Sequence, residues 1–255
     1  MSQRFRAVDV FLRYLKAEKV DTIFGVVGGL LYPLFDAIEL DDDIKLVMTK
    51  HEQGAAFMAD GYARVGRRLG VCAGTSGPGS TNLLTGVACS YADGIPVLVV
   101  TGQAATHALG KGAAQETTRE DIDIVAMFRP VTKYSAMVTH SQALPHHVRR
   151  ALRAALTGRP GPVHLNLPVD LWETVLPTSD WFRPETYRPE THTFDRGAVQ
   201  RAGDILLSAK HPVLLAGSGV DAADAGTHLA ELARLLGARV APTPRAKGLF
   251  AQDDP

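Results

Sequence analysis

The feature that most constrains the fold is a regular alternation of short apolar runs with helix-like segments over the first two-thirds of the chain. The run from Val97 to Thr101 is almost entirely apolar, which is typical of a parallel strand buried on both faces. This alternation predicts a doubly wound α/β domain with a mainly parallel sheet and helices on both faces. Strands are predicted at 22–26, 44–48, 69–73, 97–101, 133–138 and 163–167, with helices between them that include 3–19 and 120–128.

The alternation lapses after residue 170, which predicts three parts. Residues 1–170 form the first domain, and residues 171–194 form a proline-punctuated linker in which Trp181 and Phe182 look exposed. Residues 195–255 begin a second, Rossmann-like α/β domain with two strands and two helices. Because so few elements cannot cover both faces of a parallel sheet, we expect this second domain to be incomplete or completed by another chain.

Composition excludes several classes of function. The 255 residues include 27 basic and 27 acidic side chains, so no net charge favours nucleic acid or an anionic membrane. No apolar stretch approaches the roughly 18 residues that a membrane-spanning helix needs, and the N-terminus has no signal-like apolar core. The two cysteines, Cys72 and Cys89, show no paired or metal-ligand spacing, so the expected setting is a reducing cytoplasm.

Glycine-rich and polar motifs follow four of the predicted strands. They are Gly28-Gly29, Glu52, the turn from Thr75 to Gly79, and Gly102-Gln103. Because ligands of such sheets bind beyond the carboxyl ends of the strands, we expect these motifs to form one site. Two glycines in one turn are also explained by backbone geometry alone. The P-loop and dinucleotide-binding patterns are absent, which argues against both of those phosphate sites.

Glu52 opens a helix whose small residues Ala55, Ala56 and Ala59 fall on the same face as the glutamate. A carboxylate in the first helical turn is favoured by the helix dipole without any further role. The small-residue face favours a second interpretation, in which another surface comes close to the backbone around Glu52. The sequence alone leaves both interpretations open.

A resemblance to a known family rests on four segments in register over about 80 residues: Phe24-Gly25-Val26-Val27-Gly28-Gly29, Lys50 to Arg64, Gly74 to Asn82, and Asp93-Gly94-Ile95-Pro96 running on to Thr101-Gly102-Gln103. Together they resemble the pyrimidine-binding domain of thiamine diphosphate enzymes, the acetolactate synthase branch in particular. The likeness continues more loosely to the C-terminus, where it covers the start of the central domain.

The resemblance implies a role for individual residues. It makes Glu52 the carboxylate that faces the pyrimidine ring nitrogen, and Gly29 and Gln115 the residues near the 2-oxo acid. It matches Lys133 to a lysine near the pocket mouth, although a plain surface lysine at the start of a strand explains this residue equally well. It matches Arg159 to an arginine that touches FAD in the flavin-dependent branch. The implied cofactor contacts are Val27, Gly28, Glu52, Thr75, Pro78, Asn82, Gln103 and Arg159.

The resemblance also implies shared binding of the cofactor. In the family, Mg²⁺ at the diphosphate is held by a separate domain with a Gly-Asp-Gly and a later Asn-Asn, and neither motif occurs in these residues. We therefore expect thiamine diphosphate to be shared with a complementary chain in a homo- or hetero-oligomer, with FAD as a further possible cofactor. A natural split subunit and a truncated chain are both compatible with this expectation.

The implied activity is a carboligase or 2-oxo acid decarboxylase resembling the acetolactate synthase large subunit. Alternatives are an acyltransferase or simple decarboxylase of the same family, or a non-catalytic partner subunit. The stretch before Gln115 differs from the family's Gly-Thr-Asp-Ala-Phe-Gln-Glu, since Gly112 and Ala114 replace an acidic and an aromatic residue. Val27 also replaces a proline, and these differences predict a larger or differently shaped substrate pocket. The donor and acceptor substrates stay open.

Overall fold

The computed structural model describes residues 4–119, 121–177, 182–188 and 193–250. The chain forms two compact units, residues 1–190 and residues 191–255, and each is described by itself. The first unit contains the strands β1 (Arg4–Arg6), β2 (Thr22–Gly25), β3 (Lys45–Met48), β4 (Gly70–Gly74), β5 (Val97–Gln103), β6 (Tyr134–Met137), β7 (Val163–Pro168) and β8 (Val175–Pro177). Its helices are α1 (Ala7–Ala17), α2 (Tyr32–Glu39), α3 (Glu52–Gly66), α4 (Pro78–Thr81), α5 (Leu84–Asp93), α6 (Ile124–Phe128) and α7 (Leu144–Leu156).

Six of these strands form one parallel sheet in the order β3-β2-β4-β5-β7-β6, flanked by helices, so the predicted fold class is confirmed. The chain runs from β2 outward to β3 and then returns to add β4 on the other side of β2. The direction of strand addition therefore reverses between β2 and β4. In open α/β sheets, a ligand-binding crevice opens at such a switch point beyond the carboxyl ends of the strands.

Each face of the sheet carries its own apolar core, because successive residues of a strand point to opposite faces. On β5, Leu98 and Val100 belong to the core shared with α1, α2 and α7. Val97 and Val99 belong to the core shared with α3, α5 and α6. This division explains why β5 is apolar from Val97 to Val100, since all seven residues of the strand are buried.

The helix predicted at 3–19 begins only at Ala7. The residues before it, Arg4–Arg6, form β1 and pair antiparallel with β8, with Arg4 opposite Pro177. The pairing partner lies far away in the sequence and the arginines carry no strand signal, so the local pattern could not indicate it.

The helix predicted at 120–128 begins at Ile124, and residue 120 lies outside the described residues. Asp123 sets this start, because its carboxylate accepts a hydrogen bond from the backbone N–H of Ala126 at 2.8 Å. This contact is a side-chain cap that satisfies one of the unpaired donors of the first helical turn.

The segment predicted as a linker, 171–194, packs on the first unit over its described residues up to 188. Trp172 is fully buried and its ring lies edge-on to Phe11 at 5.4 Å. The buried carboxylate of Glu18 accepts hydrogen bonds from Tyr187 Oη at 2.6 Å and from Arg188 Nη2 at 2.9 Å. Phe182 is partly buried against the same core rather than exposed, whereas Trp181 lies outside the described residues.

The second unit contains α8 (Arg196–Ser208), β9 (Val213–Ala216), α9 (Ser218–Ala222), α10 (Gly226–Leu236) and β10 (Arg239–Pro242). β9 and β10 pair in parallel, as expected for the beginning of a βαβ domain. Many of its apolar side chains are exposed, among them Val199, Ile205, Leu207, Val213, Leu215 and Leu235. Two strands therefore leave much apolar surface of this unit uncovered, which fits the expectation of an incomplete domain.

Among the described residues, no helix combines the length and the apolar character that crossing a membrane requires.

Candidate active site

The candidate site lies at the carboxyl edge of the sheet, around the switch point between β2 and β4. The loop after β2 packs against the segments that follow the neighbouring strands. A Cβ on Gly28 would lie 2.4 Å from Thr75 Cβ, and a Cβ on Gly102 would lie 2.9 Å from the Leu30 carbonyl oxygen. Because real Cβ atoms do not approach so closely, these two glycines let the three loops meet.

Glu52 begins α3, directly after β3, and its side chain is half-buried. Asn82 Nδ2 donates a hydrogen bond to Glu52 Oε2 at 3.0 Å. The other carboxylate oxygen, Oε1, faces the backbone of Gly79, where an added Cβ would lie 3.4 Å away. The structure therefore brings Glu52 and Asn82 together beside Gly79.

Thr75 follows β4, and its side chain lies beside Gly79, as the Glu52 carboxylate does. Its Oγ1 is buried and has no hydrogen-bond partner among the residues that the structure describes. Gly79 lies against it, since a Cβ there would come within 2.8 Å of Thr75 Cγ2. A buried hydroxyl without a partner is costly unless something outside the chain bonds to it, so it indicates a ligand or a water at this position.

The small-residue face of α3 lets other elements come close to the helix backbone, as expected. Ala55, Ala56 and Ala59 are fully buried in the core of the first unit. A Cβ on Gly70 of β4 would lie 2.1 Å from Ala59 O, and one on Gly86 of α5 would lie 2.6 Å from Ala56 Cβ. The surface that approaches α3 so closely therefore belongs to this chain, and it fixes the helix that carries Glu52.

Gln115 lies beside the turn that follows β4. Its backbone has the left-handed φ of 58°, and its side chain is exposed. Ser76 Oγ donates a hydrogen bond to its carbonyl oxygen at 2.5 Å. A Cβ added to Gly77 would contact Gln115 Cβ at 3.5 Å. Gln115 is thus adjacent to the turn from Thr75 to Gly79, and its exposed side chain is free to meet a ligand.

Three further predicted site residues present open surface near these loops. Val27 is 50% exposed, Pro78 is exposed, and a Cβ on Gly29 would meet no heavy atom within 4 Å. Gly77 has a φ of 64°, so backbone geometry alone requires a glycine at that place in the turn. The turn-shaping interpretation of this motif is confirmed, and its ligand-proximal interpretation stays a prediction.

Gln103 is a correction to the predicted cofactor contacts. It is fully buried, and its amide is saturated by the chain itself. Nε2 donates to Thr117 Oγ1 and Asn166 Oδ1, and Oε1 accepts from the backbone N–H of Ala104 and of Thr117. With two donors and two acceptor positions used, Gln103 has none left for a cofactor.

Arg159 and Lys133 both precede a strand and so lie at the amino edge of the sheet. Arg159 Nη2 donates to the Ala92 carbonyl at 2.7 Å. Lys133 Nζ donates to the carbonyls of Thr157 and Arg159, at 2.9 and 2.7 Å. Burial, and next the charge of Arg159, lower the pKa of Lys133. Neither residue is brought together with Glu52, and Lys133 is not at the pocket mouth.

Sequence reasoning missed two buried polar groups, Glu116 beside Gln115 and His164 on β7. The carboxylate of Glu116 accepts hydrogen bonds from Gly110 N at 2.7 Å and Thr118 Oγ1 at 2.8 Å, which hold its pKa below the usual range. His164 is fully buried on β7, and its ring stacks on Phe128 at 4.1 Å. A histidine and an asparagine two residues apart on an otherwise apolar strand were the available signal.

Burial of His164 predicts a loss of stability in acid. Desolvation lowers its pKa to about 3, whereas an unfolded histidine titrates near 6.5. The unfolded state therefore binds the extra proton as the pH falls below about 6.5, and folding is weakened by about 1.4 kcal/mol per pH unit down to the folded pKa. Urea unfolding at pH 7, 6 and 5 measures this slope. The His164→Leu chain should show a shallower slope, and the exposed-site control His146→Gln should keep the steep one. Equal slopes for the wild-type and His164→Leu chains would contradict the assignment.

No cluster of three or more His, Cys, Asp or Glu side chains that could hold a metal ion occurs within residues 4–119, 121–177, 182–188 and 193–250.

Comparison with known proteins matches both units of the chain. Residues 5–127 match the family described as "Thiamine pyrophosphate enzyme, N-terminal TPP binding domain". Residues 199–255 match "Thiamine pyrophosphate enzyme, central domain". The first match contains Glu52, Thr75, Asn82 and Gln115, which are the residues gathered at the carboxyl edge.

Similar full-length proteins carry one recurring description. The chain is 40% identical over 252 residues to a "Probable acetolactate synthase large subunit" of Methanococcus aeolicus, covering 97% of this chain and 41% of that protein. It is 39% identical over 256 residues to "Acetolactate synthase catalytic subunit, mitochondrial" of Saccharomyces cerevisiae, covering 96% of this chain and 36% of that protein. The chain thus spans about two-fifths of the length of the relatives it matches.

Proposed function

This chain belongs to the thiamine pyrophosphate enzyme family, and from that premise we propose that its first unit is the pyrimidine-binding part of a carboligase resembling the acetolactate synthases. The observation that carries the proposal is the half-buried Glu52 carboxylate, held by Asn82 and facing the Gly79 backbone at the switch point of the sheet. The substrate class proposed is a 2-oxo acid, which loses CO₂ before its remaining carbons reach an acceptor.

The residues at this edge fit the aminopyrimidine half of thiamine diphosphate. Such a ring presents nitrogen donors and acceptors, and Glu52 Oε1 and the unpartnered Thr75 Oγ1 offer oxygen atoms to bond them. Gly28 and Gly79 keep the space beside Thr75 free of a Cβ. Val27 and Pro78 supply exposed apolar surface for the ring. Thiamine diphosphate, when bound, supplies a carbanion centre at its thiazolium C2.

Glu52 is the residue that we propose to handle the proton. Its carboxylate would share a proton with the pyrimidine ring nitrogen, and Asn82 would fix its orientation through Oε2. The half-buried position limits access of water to this proton. Gly29 and Gln115 would border the oxo acid, because one leaves open space and the other exposes its side chain beside Gly77.

The diphosphate and Mg²⁺ are proposed to be held by polypeptide other than these 255 residues, in a homo- or hetero-oligomer. A domain that supplies carboxylate and amide oxygens suits Mg²⁺, and the described residues offer no such cluster. A flavin contact at Arg159 would form a separate site, because that arginine lies at the amino edge. We place the reaction in the cytoplasm, where the free Cys72 and Cys89 would stay reduced.

Reconstitution tests the proposed function. The chain is mixed with a polypeptide that carries the family's Gly-Asp-Gly and Asn-Asn motifs, thiamine diphosphate, Mg²⁺ and a panel of 2-oxo acids that includes pyruvate. We expect CO₂ release only when both polypeptides and Mg²⁺ are present, since each holds one end of the cofactor. Chelation of Mg²⁺ is the control and should abolish the release. A complex that binds thiamine diphosphate but releases no CO₂ from any of these acids contradicts the proposal.

A further inference from the structure

Buried polar side chains form a continuous row on the α6 side of the sheet. Thr101 and Gln103 on β5 point to the same face as His164 and Asn166 on β7, because each pair is two residues apart. All four are fully buried. The row runs from Ser135 on β6 to Ser76 after β4, and its members are Ser135, His164, Thr101, Asn166, Gln103, Thr117 and Ser76.

The direction of every hydrogen bond toward β6 is fixed by the groups at each step. Gln103 Nε2 donates to Asn166 Oδ1, and Asn166 Nδ2 donates to Thr101 Oγ1 at 2.9 Å. At the far end, Ser135 Oγ donates to the Val125 carbonyl at 2.9 Å, so it accepts from His164 Nδ1 at 2.8 Å. His164 Nε2 is then the acceptor for Thr101 Oγ1 at 2.8 Å.

The branch toward the loop is equally determined. Gln103 Nε2 donates to Thr117 Oγ1 at 3.0 Å. Ser76 Oγ uses its proton on the Gln115 carbonyl, so Thr117 Oγ1 donates to Ser76 Oγ at 3.1 Å. Thr117 N–H returns to Gln103 Oε1 at 3.1 Å. The amide of Gln103 is therefore the junction of two branches that end on the backbone carbonyls of Val125 and Gln115.

We propose that this network, in which every hydrogen bond has a fixed direction, is a positioning device. Gln103 is a positioning residue that holds Gln115 in its left-handed backbone conformation. His164 anchors the branch toward β6 as the neutral tautomer with its proton on Nδ1. The inference rests on the proposed function only because that function places Gln115 beside the substrate. A left-handed backbone is unfavourable for a glutamine and persists only where its surroundings impose it. Two hydrogen bonds of the network impose this conformation. Ser76 Oγ donates to the Gln115 carbonyl, and the backbone N–H of Thr117 donates to Gln103 Oε1.

The tautomer follows from the same geometry. A proton on His164 Nε2 would face the Thr101 hydroxyl proton, and Thr101 has no other acceptor among its described partners. Burial keeps the ring neutral, since desolvation lowers the pKa of His164 to about 3. Reversal of any one bond would leave a buried donor or acceptor unsatisfied, which is why the row has a single arrangement.

Amide hydrogen exchange of the full chain tests the loop branch. The variants Ser76→Ala and Thr117→Val each remove one link, and we expect the amides of Glu116 and Thr117 to exchange about tenfold faster or more. The control Ser90→Ala removes a buried serine hydroxyl that bonds Asp60 Oδ2 at 2.8 Å outside the row. This control should leave the Glu116 and Thr117 amides unchanged even if it lowers overall stability. Unchanged exchange in both link variants overturns the proposal.

Nitrogen-15 NMR of the histidine rings tests the branch toward β6. We expect the His164 signals of a neutral ring protonated at Nδ1, and we expect the Thr101→Val variant to shift them because it removes the donor to Nε2. A ring protonated at Nε2, or at both nitrogens at neutral pH, overturns the assigned direction. Neither readout uses cofactor or substrate. A failed reconstitution beside a positive exchange result would therefore reject the proposed function and leave the network standing.

Discussion

Replacing Glu52 with Gln is expected to slow exchange of the thiazolium C2 proton of bound thiamine diphosphate by about 10²–10⁴-fold, the usual contribution of a positioned acid or base. Glutamine keeps an oxygen to accept the Asn82 bond at Oε2, so the fold and the position of the side chain should persist. What is lost is the ionisable carboxyl that we propose to share a proton with the pyrimidine ring. The measurement is proton exchange at C2 in D₂O, followed by NMR in the reconstituted complex.

Two further variants, one that tests side-chain length and one control, are compared with Glu52→Gln. Glu52→Asp keeps the charge but shortens the side chain by one carbon, so it should also lose most of the exchange rate. Glu39→Gln removes an equal charge from an exposed glutamate at the end of α2 and should leave the rate unchanged. If Glu52→Gln exchanged C2 as fast as the wild-type chain while binding the cofactor equally well, Glu52 would have no part in the proton transfer.

Gly70→Ala should produce the largest loss of stability of any single change considered for this chain. An added Cβ would lie 2.1 Å from Ala59 O and 2.9 Å from Ala59 C, and both atoms belong to the backbone of α3. A backbone carbonyl cannot move aside as a flexible side chain can, so α3 must shift away from β4. Overpacking of this kind typically costs up to about 3 kcal/mol of the free energy of unfolding, and a clash with backbone belongs at that end of the range or beyond. Urea unfolding followed by tryptophan fluorescence measures it.

A second glycine of the same helix provides the control. Gly61 is exposed on α3, and a Cβ there would meet no heavy atom within 4 Å. Gly61→Ala should therefore be neutral or should raise the free energy of unfolding by about 0.5–1 kcal/mol through helix propensity. Because α3 carries Glu52, Gly70→Ala should also weaken cofactor binding, and Gly61→Ala should not. Equal unfolding midpoints for Gly70→Ala and the wild-type chain would show that the close contact is not rigid.

Most of the fold could be predicted from local sequence patterns. All six strands of the parallel sheet could be predicted, because each is a short apolar run between helical segments and strand periodicity is a local property. The pairing of β1 with β8 could not, since it joins Arg4–Arg6 to residues far along the chain. The side-chain packing of residues up to 188 on the first unit could not be predicted either, because its partners lie far away in the sequence, as with Trp172 on Phe11 and Arg188 on Glu18.

The site was partly predictable for the same reason. Glu52, Thr75 and Asn82 follow parallel strands, and topology alone brings such segments to one edge. Arg159 precedes a strand, so the same rule places it at the other edge, and its expected contact with FAD stays a prediction. Gln103 ends a strand, and no local signal tells whether such an amide faces a ligand or the protein. Only the partners Thr117 and Asn166, distant in sequence, decide it.

The most direct test of the central claim is a crystal structure of the reconstituted complex with thiamine diphosphate bound. A carboxylate oxygen of Glu52 should lie about 2.6–3.2 Å from the pyrimidine ring nitrogen, the range for a hydrogen bond that carries a proton. Thr75 Oγ1 should have gained a partner there. A pyrimidine ring bound elsewhere, with Glu52 contacting only Asn82 and solvent, would contradict the account.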